Sequence, residues 1–444
     1  MLHGLRRRAS GHRHLLTGSA ALVLTAGVQA VSGALFWLIA ARVDEQSDVG
    51  HATALFTSVL FVAFVAGLGQ PVAAARYAAG RTRDDHVIFA WGAGATAIAG
   101  GLFAIGYLLV VSPPAVDELR DWHGAAGPIL FLLLCSGTAL SLLLDVRLMT
   151  QRRWGLVLAR ASVVAIARFP LLLIPVDRDR AVWLLTAAAL PTAASGFVGT
   201  AWLPKVTGHR HVFGPRPAAA RAWARYSLVN WASTITYQAP TFVMPVIVLA
   251  NVSAEENASF YVAWGVAAVA CYVPMAIGQA LLAEGGRDGA QVRAQVRLAI
   301  VVAGGLMVVG AAIATFGRDL IVTLYGDDYQ AAADILPALV VAAIPWAVTS
   351  VYLTEARVRH RSAATVLITV VLSTAILVPA LVLVPEDGID GAAAAFLFGN
   401  IVAALVALGT HRQIRRTATS PIPALSPDAF EPEDAIALTP NPLT

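Results

Sequence analysis

Residues 21–43 read ALVLTAGVQAVSGALFWLIAARV, and residues 230–252 read NWASTITYQAPTFVMPVIVLANV. Each is an apolar run of about the 20 residues that carry a helix across a bilayer core roughly 30 Å thick. The two lie 209 positions apart, and polar residues recur at the same places in both. Thr25, Gln29 and Ser32 have the spacing of one helix face, and the shift puts them on Thr234, Gln238 and Thr241. Asn230 and Tyr237 widen the second stripe. The runs also end alike, Ala41-Arg42-Val43 against Ala250-Asn251-Val252, before an acidic stretch. These two segments make the chain a duplicated membrane unit whose first helix carries a polar stripe.

The same shift superposes the rest. Gly69-Gln70 falls on Gly278-Gln279, Arg152 on Arg361 and Pro170 on Pro379. Long apolar runs recur along the 444 residues, of which 58% are hydrophobic and only 13% charged, with a mean hydropathy of +0.70. A soluble domain carries roughly a quarter charged residues. Backbone in lipid must satisfy its own hydrogen bonds, and runs of this length do so as helices. Twelve spans are expected, at 15–41, 51–75, 86–112, 126–150, 154–175, 181–203, 227–250, 258–282, 296–316, 331–356, 363–385 and 391–411. The expected fold is therefore all-α and polytopic, with about twelve transmembrane helices in two six-helix lobes. A basic N-terminus (1–14) precedes the first lobe (15–205), a linker (206–226) joins it to the second (227–415), and a Pro-rich acidic tail follows (416–444). That tail lacks periodicity and reads as disordered.

Arginine sets the orientation. Of 31 basic residues, 24 fall in alternate loops on one side together with both termini, and only Arg42, Arg120, Arg178, Arg180 and Arg318 fall on the other. The positive-inside rule assigns the crowded side, and both termini, to the cytoplasm. Each half then starts in the cytoplasm, so the repeats are parallel, related by an axis along the membrane normal, with the substrate site expected at their interface. A pI near 9.3 is explained by this orientation, and no nucleic-acid partner is expected. Cys135 and Cys271 lie inside spans, which offers neither a disulfide framework nor a metal cluster.

Two basic residues fit no loop: Arg160 and Arg168 lie inside the fifth span. An ionisable group there costs at least about 2.5 kcal/mol and marks a buried pair or a functional site. Asp145 in the fourth span and Arg160 lie at similar depth, some 8–9 Å from the inner end, so a pair across neighbouring helices is one reading. Arg168 lies roughly 21 Å in, with no acidic residue at that depth in the twelve spans. It either extends outward to the interface or faces a cavity and meets an anionic group, a task guanidinium suits through its planar fork of donors. The positions equivalent to Asp145, Arg160 and Arg168 are Thr354, Thr369 and Leu377, so this chemistry belongs to one lobe. The stripes through Thr25, Gln29, Asn230, Thr234, Tyr237 and Gln238 either line a shared cavity or join helices by hydrogen bonds, a common use of such residues in membranes.

The chain resembles the polysaccharide and oligosaccharide flippases of the multidrug/oligosaccharidyl-lipid/polysaccharide exporter superfamily over roughly residues 15 to 415. Leu38-Ile39-Ala40-Ala41-Arg42, Gly67-Leu68-Gly69 and Ala75-Arg76-Tyr77 look like the opening two helices of that family. Arg225-Tyr226-Ser227-Leu228 with Asn230-Trp231 and Pro240 looks like its seventh helix, and Ala283-Glu284-Gly285 like the end of its eighth. Tyr325-Gly326, Leu336-Pro337 and Gly388-Ile389-Asp390-Gly391 resemble the stretch from the ninth helix to the twelfth. The resemblance implies two lobes around a cavity open to alternate sides, in a bacterial inner membrane. It also implies a lipid-linked saccharide as substrate, with membrane lipids and the glycan polymerase or glycosyltransferases of the pathway as partners. Arg42 and Arg76 match the family pattern at the ends of the first two helices, where they either steer anionic headgroups or serve as ordinary topology charges.

A membrane glycosyltransferase or polymerase needs placed acids and bases, whereas the outer loops here are short and hold one adjacent Asp pair, Asp327-Asp328. No GxxxxGK[ST] loop is present. The expectation is a transporter that is not an enzyme and needs no cofactor. Its rival within the same fold is a cation-coupled drug antiporter, against which the first span lacks a deep acidic residue.

Overall fold

The computed structural model describes residues 2–70, 83–111, 114–176, 179–207, 218–268, 318–358 and 361–417, with three further residues between 305 and 310. Among these every regular element is helical. The first half holds α1 (Leu2–Val43), α2 (Gln46–Ala66), α3 (Arg83–Val110), α4 (Pro114–Asp121), α5 (Ala126–Thr150), α6 (Trp154–Leu172) and α7 (Arg180–Thr207). The second holds α8 (Ala218–Asn251), α9 (254–268), α10 (Arg318–Tyr325), α11 (Gln330–Val341), α12 (Ala343–Val358) and α13 (Ser362–Thr417). Among the described residues eight helices are long and apolar enough to cross a membrane, and 235–251 of α8 is a shorter apolar stretch. Most of the eighth expected span and all but three residues of the ninth lie outside the described residues.

Three boundaries differ from the sequence reading. Helix α1 begins at Leu2, so the basic stretch is continuous with the first span. Helix α8 begins at Ala218, within the stretch read as a linker. Short helices α4 and α10 stand before the fourth and tenth spans. The tenth span is α11 followed by α12, and the last two spans run together as α13, broken at Gly388 with φ 59° and ψ −134°. A left-handed φ suits glycine, which has no Cβ to clash. The residue 209 positions earlier is Asp179, between α6 and α7, and it too is left-handed at φ 58°. Aspartate tolerates that region better than most residues, so the two halves turn between their fifth and sixth helices in the same way.

Packing repeats as well. Helix α1 lies on α6, as α8 lies on α13, and α5 lies on α7, as α12 lies on α13. Small residues allow the closest crossings: a Cβ on Gly196 of α7 would meet the backbone of Gly137 on α5, as expected where dispersion contact rather than water drives helices together. The outward surface is apolar, with Leu109, Val110, Leu102 and Leu405 all more than 60% exposed. Such a surface is stable only against lipid.

Candidate functional site

The two lobes meet at the N-terminal ends of α2 and α9, through pairs that the repeat itself relates. The Gln46 side-chain amide donates to the Glu255 carbonyl, 209 positions on, at 3.3 Å and to the Ser259 hydroxyl at 3.3 Å. It also reaches the Asp328 carbonyl at 2.9 Å. The Asn257 amide donates to the Gly50 carbonyl at 2.9 Å and to Thr53 Oγ1 at 3.3 Å. Gly50 is itself the repeat mate of Ser259, and a Cβ there would collide with the Ala254 carbonyl. A residue touches its own repeat mate only near the axis relating the copies, so that axis passes between α2 and α9.

A clasp beside this seam has no symmetric counterpart. Arg42, at the end of α1, donates through Nε to the Leu324 carbonyl at 2.6 Å and through Nη2 to the Thr323 carbonyl. Both acceptors belong to the last turn of α10, where unpaired carbonyls and the helix dipole favour a cation. Asn251, the repeat mate of Arg42, instead bonds back to Ile247 of its own helix at 2.8 Å. Nearby, Arg180 holds Asp44 at 2.6 and 3.2 Å and takes the Ile174 carbonyl at 2.9 Å. These outer arginines are thus engaged with carbonyls and a carboxylate. Beside the seam, Glu255 is held below the ordinary carboxylate range by its own backbone amide and by the Ser253 hydroxyl.

Beneath the clasp, Trp37 of α1 packs edge-on against Tyr261 of α9 at 5.4 Å and against Phe56 of α2 at 5.8 Å. Arg168 of α6 lies within electrostatic reach of the Tyr261 hydroxyl. Arg168 Nη2 donates to Thr192 Oγ1 of α7 at 3.3 Å, while its Nε is buried with no hydrogen-bond partner. Among the described residues no carboxylate faces this guanidinium. The guanidinium is half-buried, hydrogen-bonded within its own lobe and within electrostatic reach of Tyr261 on α9.

Arg160 is placed differently. It pairs with Asp145 through Nη2 and through Nε at 3.1 Å, and donates to Ser141 Oγ at 2.6 Å and Ser195 Oγ at 2.9 Å. Both members are less than 20% exposed, so the pair and its serines form a closed network across α5, α6 and α7. In the first stripe Gln29 is exposed, whereas Thr25 and Ser32 turn back on the Ala21 and Gln29 carbonyls of their own helix at 2.7 and 3.2 Å. Gln238 is half-buried, and no hydrogen bond joins it to Gln29. Tyr237 stacks on Trp346 at 5.7 Å. The side chains of Asn230 and Thr234, and all of Arg76, lie outside what the structure describes.

Besides Arg180 with Asp44, the sequence reading missed a pair in the second lobe. Glu355 of α12, 1% exposed, lies 2.6 Å from His411 Nδ1 of α13. Glu355 sits one position from the repeat mate of Asp145, and a search for carboxylates near span ends would have found it.

This two-lobe arrangement is shared with solved transporters. The chain is similar to a lipid II flippase, MurJ, in an inward closed conformation, with a TM-score of 0.70 at 12% identity over 89% of this chain and 87% of that one. It is similar to an inward-facing multidrug resistance MATE family transporter of the MOP superfamily, with a TM-score of 0.66 at 15% identity over 90% of this chain and 99% of the other. A MOP superfamily transporter from Pyrococcus furiosus, described as having a binding pocket of reversed polarity, gives 0.58 at 16% identity over 92% of this chain and 96% of that one. No protein-family model and no curated protein matches the sequence. The fold is that of MATE and MOP transporters, all-helical with spans arranged as theirs are.

Proposed function

We propose that the protein moves lipid-linked oligosaccharide or polysaccharide precursors from the cytoplasmic to the outer leaflet of a bacterial inner membrane by alternating access. Arg168 carries this reading. A half-buried guanidinium within reach of the other lobe, with a buried Nε lacking a partner and no carboxylate facing it among the described residues, is a site for an anion that arrives from elsewhere. Phosphate and acidic sugars match its planar donors, and a lipid II flippase stands among the structures of similar fold. The lobes hold together at the outer seam in this conformation, so the substrate enters from the inner side. Release requires Arg42 and Gln46 to let go of α10 and the Asp328 turn. Both termini are cytoplasmic in this scheme, and the polymerase or glycosyltransferases of the glycan pathway are the neighbouring proteins.

The test compares surface glycan with membrane abundance of the protein in Arg168→Ala and Arg168→Lys. The expected result is that Ala abolishes export at normal protein level and that Lys restores little, because a point charge lacks the fork. Normal export by the Ala variant overturns the role of Arg168, and loss of the protein makes the arginine structural.

A further inference from the structure

Arg168 has aromatic neighbours that the scheme above leaves unused. Tyr261 of α9 is within electrostatic reach of both the guanidinium and Tyr325, the last residue of α10. The Tyr325 and Tyr329 rings lie 5.5 Å apart across the turn that follows α10, and Trp37 of α1 flanks Tyr261 at 5.4 Å. All four rings belong to, or pack on, one apolar core built from both lobes. Tyr329 is 1% exposed, and its hydroxyl is buried without a hydrogen-bond partner. A buried polar group left unpaired is costly and calls for a cause. The Arg168 Nε is a second such group, and the two stand at opposite ends of the series Arg168, Tyr261, Tyr325, Tyr329. The repeat mates of Trp37, Tyr261, Tyr325 and Tyr329 are Val246, Ala52, Val116 and Arg120, none of them aromatic. Ala52 and Val116 are fully buried, so helix packing at these places does not require rings. The ladder exists once, as Arg168 does.

We infer that Tyr261, Tyr325 and Tyr329 form a saccharide subsite that seats the first sugar rings beside a phosphate held by Arg168. One face of a pyranose presents C–H bonds, an apolar patch that lies flat on an aromatic ring, while the sugar hydroxyls project from its edge. Tyrosine answers both parts, with an apolar face and a hydroxyl at its rim. The Tyr329 hydroxyl gains a sugar hydroxyl as partner, and the Arg168 Nε gains a phosphate oxygen. Arg42 grips the Leu324 and Thr323 carbonyls beside Tyr325, and Gln46 takes the Asp328 carbonyl beside Tyr329. The contacts that must release for the lobes to part therefore also hold the last two rings of the ladder, and their release uncovers those rings to the glycan. This inference rests on the reading of Arg168 as an anion site and adds which residues read the sugar.

The experiment measures dissociation constants of lipid probes for the purified full chain in detergent. The probes are farnesyl diphosphate and the same diphosphate carrying glucose, galactose or N-acetylglucosamine. The expected result is that at least one sugar-bearing probe binds roughly fivefold tighter than farnesyl diphosphate. Tyr325→Leu should remove most of that preference and Tyr329→Phe part of it, while both variants bind farnesyl diphosphate as the unchanged chain does. Arg168→Ala should weaken every probe. Deleting an unpartnered buried hydroxyl does not weaken the fold, so Tyr329→Phe carries the test should Tyr325→Leu not accumulate. Equal binding of all four probes by the unchanged chain overturns the subsite and leaves the anion site at Arg168 standing. A sugar preference that survives the tyrosine changes overturns it as well, and so does a loss that falls equally on every probe, which makes the rings structural. Diphosphate binding that is absent, or indifferent to Arg168→Ala, overturns the anion site and the subsite together.

Discussion

At the inner end of α5 Asp145 faces Arg160; one position along the repeat, at the inner end of α12, Glu355 faces His411. The two carboxylates stand on equivalent helices, but their partners come from non-equivalent ones, α6 in the first lobe and the end of α13 in the second. The first partner is a guanidinium that also donates to two serine hydroxyls; the second is an imidazole with the Tyr352 ring against it. Arg168 adds to the contrast, since its mate is Leu377 and lies among apolar neighbours. Helix packing constrains volume and small-residue crossings, and both lobes obey the same constraints. It leaves open which buried positions are ionisable, and there the copies have separated, a guanidinium meeting the carboxylate in one lobe and an imidazole meeting it in the other.

The largest effect expected concerns the parallel relation of the halves. Cysteines introduced at Asp117 and Asp387, in a background without native cysteines, should both react with an impermeant thiol reagent in intact cells, while one at Val212 should not. If 117 and 387 label from opposite sides, the halves are inverted and the comparison of equivalent positions collapses. Next in size is Arg160→Ala, which leaves Asp145 buried without its cation and should cost about 3–5 kcal/mol, read as lost thermal stability of purified protein. Adding Asp145→Asn should recover much of it. An Arg160→Ala protein as stable as the unchanged one would remove the fixed pair from the contrast.

A smaller effect is expected from Arg42→Ala, which removes the one-sided clasp on α10. A cysteine placed at Ala52, buried in α2 below the seam, should then label about tenfold faster from outside, as loss of hydrogen bonds from a charged donor allows. An unchanged labelling rate would mean that the clasp does not hold the outer ends.

Much of the fold was legible because helices in lipid leave strong marks: the apolar runs, the loop arginines and the 209-residue shift all follow from local composition. Even the left-handed turn at Gly388 and Asp179 stands at a shifted pair, although aspartate hides it. The helical start of α8 was not legible, since polar residues before a span read equally as linker. The site was harder. Depth counted along a helix placed Arg160 near Asp145 and left Arg168 without a carboxylate, but it gave no direction, so the approach of Arg168 to Tyr261 on the other lobe came only with the fold. His411 was passed over because, one residue from Arg412, it reads as a loop-side group, and only tertiary packing of α13 on α12 brings it to Glu355.

The seam between α2 and α9 has the form of an isologous interface, in which one surface patch meets a second copy of itself. In a symmetric dimer of half-length chains every substitution there would appear twice, and any patch would have to suit its own image. Joined in a single chain, the two patches are released from that condition. Gln46 now faces the backbone of Glu255 rather than another glutamine, and Gly50 yields space to the Ala254 carbonyl while its mate Ser259 offers a hydroxyl that accepts from Gln46. Covalent duplication has turned a self-matching contact into a directional one, in which each side is free to specialise.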